Sequence, residues 1–298
     1  MGGTTYAWSS STILGLGALT VASSVLFIWV ESKAKDPVIP LSLFKNTTFN
    51  ISTALGLLVG VGMFASIAFM PTYMQMVYGY SATVSGYLLV PMIIGIMIAV
   101  NLTGILVAKH GHYKKYPLIG ISICTLSLYL FSTLAVGQSI VLVCFYIFLM
   151  GAGVGCFIQI LILAVQNSVP FEEVGTATSA NSFFREIGAT MGIAIVGALF
   201  STRLTSMLAE RLPAEMPQAS GNAQSLTPAI LRVMPENLQD IFIHSYADAL
   251  TPIFLYLVPV FIGGIILACF LPNIKLEQKI PELPTEEEIA NEAEVAVS

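Results

Sequence analysis

Charge is scarce in this chain. Only 10 % of its 298 residues are Asp, Glu, Lys or Arg, while 56 % are hydrophobic. A soluble domain carries about 25 % charged residues, so a water-bathed surface is excluded for most of the length. Cysteine is equally sparse. Cys124, Cys144, Cys156 and Cys269 all fall in apolar runs and form no CxxC pair. Neither a metal centre nor a disulfide framework is built that way, and small packing residues in buried helices account for all four. The three histidines are scattered, with His110 and His112 beside lysines and His244 far downstream. No Ser/His/Asp set and no paired-carboxylate cleft assembles from neighbouring segments. Catalysis is therefore disfavoured, no cofactor is implied, and nucleic-acid binding is disfavoured further.

The net charge of −5 says little about a partner. Seven of the 17 acids follow Leu276, in a tail with Pro281, Pro284 and Glu286–Glu288. That composition suits a solvated, disordered end.

What the chain does have is length in its apolar runs. A membrane span needs about 20 mostly apolar residues. Seven runs qualify, near 12–30, 49–73, 84–107, 118–136, 140–165, 176–201 and 251–271. None alternates in polarity as barrel strands do. The fold class expected is all-α: a polytopic transmembrane helical bundle.

Lysines orient it. Lys33, Lys35 and Lys45 lie between runs one and two, Lys109, Lys114 and Lys115 between runs three and four, and Lys275 and Lys279 after run seven. The short alternate loops carry no charge. The positive-inside rule puts the lysine loops and the C-terminus in the cytoplasm, in a multi-pass protein of the cell membrane. The N-terminus then lies outside, with no charge before Glu31. On that reading the chain resembles the later part of a longer one that began inside, preceded by an odd number of spans. Between runs six and seven, 203–212 and 238–250 mix polar and apolar residues. They are expected to be surface helices joined by a flexible loop. Tyr6, Trp8, Tyr73, Tyr78, Tyr80 and Tyr87 suit an aromatic belt near the outer surface.

Within the spans, "GAGVG" at 151–155 is read as a small face for close helix approach rather than a nucleotide turn, as are Gly56/Gly60 and Gly188/Gly192. Pro91, well inside run three, is expected to kink it. Polar residues in the apolar runs are few. Gln75, Asn101, Gln159 and Asn181 serve either as interhelical hydrogen-bonding groups or as ligand contacts. Arg185 and Glu186, in "NSFFREIG", are the two ionisable residues that stand out. Adjacent residues point about 100° apart, whereas Asn181, Arg185 and Gly188 share a helical face. Arg185 either meets the interhelical interior or snorkels to headgroups as an anchor.

Two stretches carry a resemblance: "MPTYMQMVYGYSATVSGYLLVP" at 70–91 and "SVPFEEVGTATSANSFFREIGATMGIAIVGALF" at 168–200. Support comes from "YAWSSSTI", the Glu31…Pro37…Pro40-Leu-Ser-Leu-Phe44 stretch and the 151–155 glycines. Together these resemble the fourteen-span drug:proton antiporters of the major facilitator superfamily, the EmrB/QacA-type multidrug exporters. The order matches the last seven spans. Residues 1–47 resemble an extra transmembrane helix and its cytoplasmic connector. Residues 48–272 resemble the C-terminal six-helix half, including an outer loop at 202–250, with 273–298 as the acidic tail.

The loop "GILVAKHGHYKK" is similar to the superfamily pattern G-x-L-x-D-R-x-G-R. Gly104, Leu106, Lys109 and Gly111 fit, but Ala108 replaces the aspartate, which leaves a basic gating surface without that acid. The resemblance implies export of small hydrophobic or cationic substrates, driven by protons. Alternating access in the bilayer would rock this half against a missing N-terminal half. Runs two, three, five and six would line the cavity. Met63, Phe64, Gln75, Asn101, Gln159, Asn181 and Phe184 are its implied ligand contacts. Arg185, Glu186, Gly104, Lys109 and Gly111 are the implied coupling or gating residues. The rival expectations are a non-transporting membrane interaction or scaffold protein, and an inactive gene fragment.

Overall fold

The computed structural model describes residues 10–34, 37, 39–111, 113–212, 228–231 and 234–272. Tyr6, Trp8, His112 and the acidic tail lie outside these. The helices are α1 (Ser11–Glu31), α2 (Thr47–Val77), α3 (Ala82–Tyr87), α4 (Val90–His110), α5 (Lys115–Ser132), α6 (Ile140–Gln166), α7 (Val174–Arg211), α8 (Pro228–Leu231) and α9 (Glu236–Cys269). There is no strand among the described residues. Seven segments are long and apolar enough to cross a bilayer, with α3 and α4 together making the third. The chain is a helical membrane bundle.

Local chemistry sets the helix ends. The Asn46 side chain caps α2 by accepting from the amides of Thr48 and Phe49. Its own amide donates to the Ser168 carbonyl at 2.6 Å, tying the start of α2 to the loop before α7. Gly111 closes α4 at φ +69°, a left-handed conformation that favours glycine.

Two expectations are corrected. Pro91 does not kink a continuous span. The helix breaks at Leu88–Leu89, and Pro91 sits in the first turn of α4, where its missing N–H costs nothing. Residues 203–212 and 238–250 are not separate surface helices. They continue α7 and α9 without interruption. No proline or glycine stands between Ser201 and Arg211 to stop the helix. The two extensions are pinned together. Arg211 Nη2 donates to Asp248 Oδ2 at 2.7 Å, and Arg203 Nη1 donates to the Tyr256 hydroxyl at 3.1 Å.

Packing is dominated by two helix pairs, α2 with α7 and α4 with α6. Helix α5 backs α6, and α9 closes the bundle against α5, α7 and α2. Lipid is as apolar as leucine, so burial alone does not drive helices together; close packing and interhelical hydrogen bonds do. The main core holds Tyr73, Phe131, Phe157, Phe254 and Phe261, all fully buried. Ser127 Oγ donates across to the Tyr146 carbonyl at 2.9 Å, fastening α5 to α6. Helix α1 stands apart, exposed along its length, with Glu31 its buried residue.

Candidate functional site

The α2–α7 seam is the tightest feature near "NSFFREIG". A Cβ placed on Gly60 would lie 2.3 Å from the Arg185 carbonyl oxygen. One on Gly188 would lie 2.1 Å from that of Leu57, and one on Gly192 would lie 2.6 Å from that of Val61. The backbones therefore touch along about three turns, and only glycine admits this approach. The α4–α6 seam repeats the device: Gly151 meets the Met92 carbonyl, and Gly155 meets that of Ile96.

Asn181 lies inside the first seam, 2 % exposed, and its Nδ2 donates to Thr53 Oγ1 at 3.3 Å. Arg185 is one turn further on, with its Cβ 4.0 Å from where a Gly56 Cβ would stand. Its guanidinium reaches Glu186 Oε1 at 3.7 Å, so the adjacent residues do form a loose ion pair despite their divergent directions. The Arg185 side chain is 20 % exposed and that of Glu186 57 %.

Their depth follows from the pairing. Asn181 faces Thr53 and Ala189 faces Gly60, so Glu186 is level with residues 57–58 of α2. Helix α2 is uncharged over its 31 residues, about 46 Å of rise, with its midpoint near residue 62. With α2 centred in the bilayer, Glu186 lies about 7 Å from the midplane.

The other candidates separate into groups. Met63 is half-buried against the main core, and Phe64 is half-buried beside it on α2. Gln75 is half-buried near the far end of α2. Asn101 is exposed on α4, its amide donating to the Met97 carbonyl of its own helix at 2.7 Å. Gln159 is exposed on α6. Gly104 is open to its surroundings, and with Lys109 and Gly111 it occupies the last turns of α4. These three are not brought to Arg185, because α4 packs on α6 whereas α7 packs on α2.

Phe184 is drawn elsewhere. It stacks edge-on against Phe44 at 6.0 Å and lines a cleft of about 510 Å³ between α1 and α7. Glu31 lines the same cleft, 7 % exposed, accepting through Oε1 from the Ile39 amide. A second groove of about 300 Å³ follows along α7, lined by Phe183, Glu186, Ile187, Thr190 and Met191. Sequence reasoning missed Glu31 and Thr53 as site residues. The available signal for Glu31 was an acid ending an apolar run; Thr53 gave none.

The first 193 residues match the family model for the Major Facilitator Superfamily. The chain belongs to that superfamily. It is 37 % identical to an uncharacterized MFS-type transporter of Mycobacterium tuberculosis, over 92 % of this chain and 40 % of the relative. It is 35 % identical to the multidrug transporter protein MdtP of Bacillus subtilis, over 98 % of this chain and 58 % of that protein. Multidrug resistance protein 3 of the same organism is 30 % identical, over 89 % and 53 %. The chain thus spans roughly half the length of these relatives. Superfamily membership places the chain in a family of membrane transporters, not among enzymes.

Proposed function

We propose that these seven spans act as the C-terminal half of a fourteen-span EmrB/QacA-type exporter. It moves hydrophobic or cationic compounds out of the cell, with the lysine loops and C-terminus cytoplasmic. Proton influx drives export, and alternating access rocks this half against an N-terminal half. One observation carries the reading. Glu186 is more than half exposed on a helix long and apolar enough to cross the bilayer, and with α2 centred there it lies about 7 Å from the midplane. An acid there costs about 2.5–3.5 kcal/mol on insertion scales when it meets lipid, and such residues face protein or water. Asn101 and Gln159 are exposed on apolar helices too. A second half enclosing an aqueous cavity supplies the missing environment. Arg185, held beside Glu186 and poorly exposed, presents its remaining donors toward that cavity for an acid or carbonyl of the other half.

The test is thiol accessibility at Glu186→Cys, with the four native cysteines changed to serine, in the complete exporter. Reaction with a membrane-impermeant thiol reagent, altered by an imposed proton gradient, is the expected result. A thiol that ignores the aqueous reagent but is quenched by lipid-soluble spin labels would place the face in lipid and remove the reading.

A further inference from the structure

The cleft between α1 and α7 lies on a different part of α7's surface from the α2 seam. Its walls are largely apolar and aromatic, with Phe27, Phe44, Phe183 and Phe184 among them. Three of these rings are linked, Phe44 to Phe184 at 6.0 Å and Phe183 to Phe184 at 5.8 Å. The volume, about 510 Å³, falls in the range that encloses a drug-sized ligand, about 300–1,000 Å³. Among the described residues lining it, Glu31 is the one ionisable group.

Glu31 is 93 % out of solvent contact by its 7 % exposure, and its resolved partner is a neutral one, the Ile39 amide. The nearest lysine on the same helix end, Lys33, is occupied elsewhere, with Nζ 4.5 Å above the Trp29 ring. Among the described residues no cation pairs with this carboxylate, which is enclosed among rings and held by one amide. Ring faces attract a cation as well. The complementary occupant is one positive charge on an apolar, drug-sized body.

We propose that this cleft is a second binding site, for lipophilic organic monocations, with Glu31 as the countercharge and the Phe44/Phe183/Phe184 cluster as the ring wall. This rests on the exporter reading for its purpose and gives cationic substrates a station at the side of the half, outside the cavity between halves. The site also adjoins the Glu186 groove, since both are lined by Phe183 and Ile187. A cation leaving Glu31 thus meets a second carboxylate, Glu186 on α7.

The test uses the purified chain in phosphatidylcholine/phosphatidylglycerol nanodiscs and tetraphenylphosphonium as probe. Saturable binding is expected, weakened at least tenfold by Glu31→Gln and less by Glu31→Asp. Gln keeps an acceptor oxygen for the Ile39 amide, so the connector stays folded; size-exclusion profiles check this. Independently, maleimide labelling of Ser24→Cys, with the native cysteines changed to serine, should be slowed by the probe in the chain with Glu31 but not in Glu31→Gln. Equal affinity for wild type and Glu31→Gln overturns the site, as does unprotected Ser24→Cys. Binding abolished whenever phosphatidylethanolamine is added would identify the occupant as a lipid ammonium and overturn the drug-cation assignment. Binding needs no transport, so failure here leaves the exporter reading standing. Failure of export by the complete protein, with binding intact, removes that reading and not the site.

Discussion

Gly188→Ala adds one methyl group to the α2–α7 seam. On an isolated helix the change would be favourable by about 1 kcal/mol, because alanine is the better helix former. Here the new Cβ would stand 2.1 Å from the Leu57 oxygen, 2.8 Å from its carbonyl carbon and 2.9 Å from its Cα. All three are backbone atoms, so no side chain can turn aside. The helices must separate by about 1 Å to restore van der Waals distance, and parting them loosens the neighbouring Gly192 contact and the Asn181–Thr53 bond. Overpacking of this kind costs about 1–3 kcal/mol. Set against the propensity gain, a net loss of up to about 2 kcal/mol remains, a shift of up to roughly thirty-fold in the folded population, and the gap from a glycine-to-alanine change in open space is about 1–3 kcal/mol. The assay is unfolding of the purified chain in mild detergent by increasing SDS fraction. Gly104→Ala is the control, since nothing lies within 4 Å of a Cβ there. It should be neutral or slightly stabilising. If Gly188→Ala proves as stable as Gly104→Ala, the seam is not packed as described.

Other outcomes follow from the same geometry. Thr53→Val removes the acceptor for Asn181 and should cost about 0.6 kcal/mol, the average for membrane interhelical bonds, in the same unfolding assay; an unchanged midpoint would show the bond to be idle. Arg185→Lys in the complete exporter keeps the charge but loses the planar fork, so export should fall sharply at normal membrane abundance. Near-normal export by Arg185→Lys, with Arg185→Ala failing only through low abundance, would make Arg185 a headgroup anchor. Arg211→Ala breaks the 2.7 Å pair with Asp248. Both partners are substantially exposed, so its effect on stability should stay within about 1 kcal/mol, while proteolysis of the extended α7–α9 hairpin should quicken. Cysteines at positions 79 and 222 should label from outside and one at 112 from inside, and labelling of 112 from the outer face would invert the topology.

The spans were legible because each apolar run is longer than any soluble strand or helix requires. Their ends were less so. In α7, Arg203 and Arg211 made the segment look like a surface helix, but they pair with Tyr256 and Asp248 on α9, a partner that sequence spacing does not reveal. At Pro91 the apolar run conceals a break, since Leu88 and Leu89 are as hydrophobic outside a helix as within one. The glycine faces were readable at helical spacing, although which helix each would meet was not. Phe184 was expected as a ligand contact, but Glu31, which lines the same cleft, comes from a helix end more than 150 positions earlier in the chain. Nothing local marks Glu31 as buried, because its enclosure depends on the connector folding back to offer the Ile39 amide.

The most direct trial of the half-transporter account is ethidium export in proteoliposomes under an imposed proton gradient. The purified chain alone should export none, and the chain reconstituted with a complementary seven-span half should export dye until an uncoupler collapses the gradient. Robust, gradient-dependent export by the chain alone would contradict the account and point to a homodimer that builds its cavity from two copies of the Glu186 face.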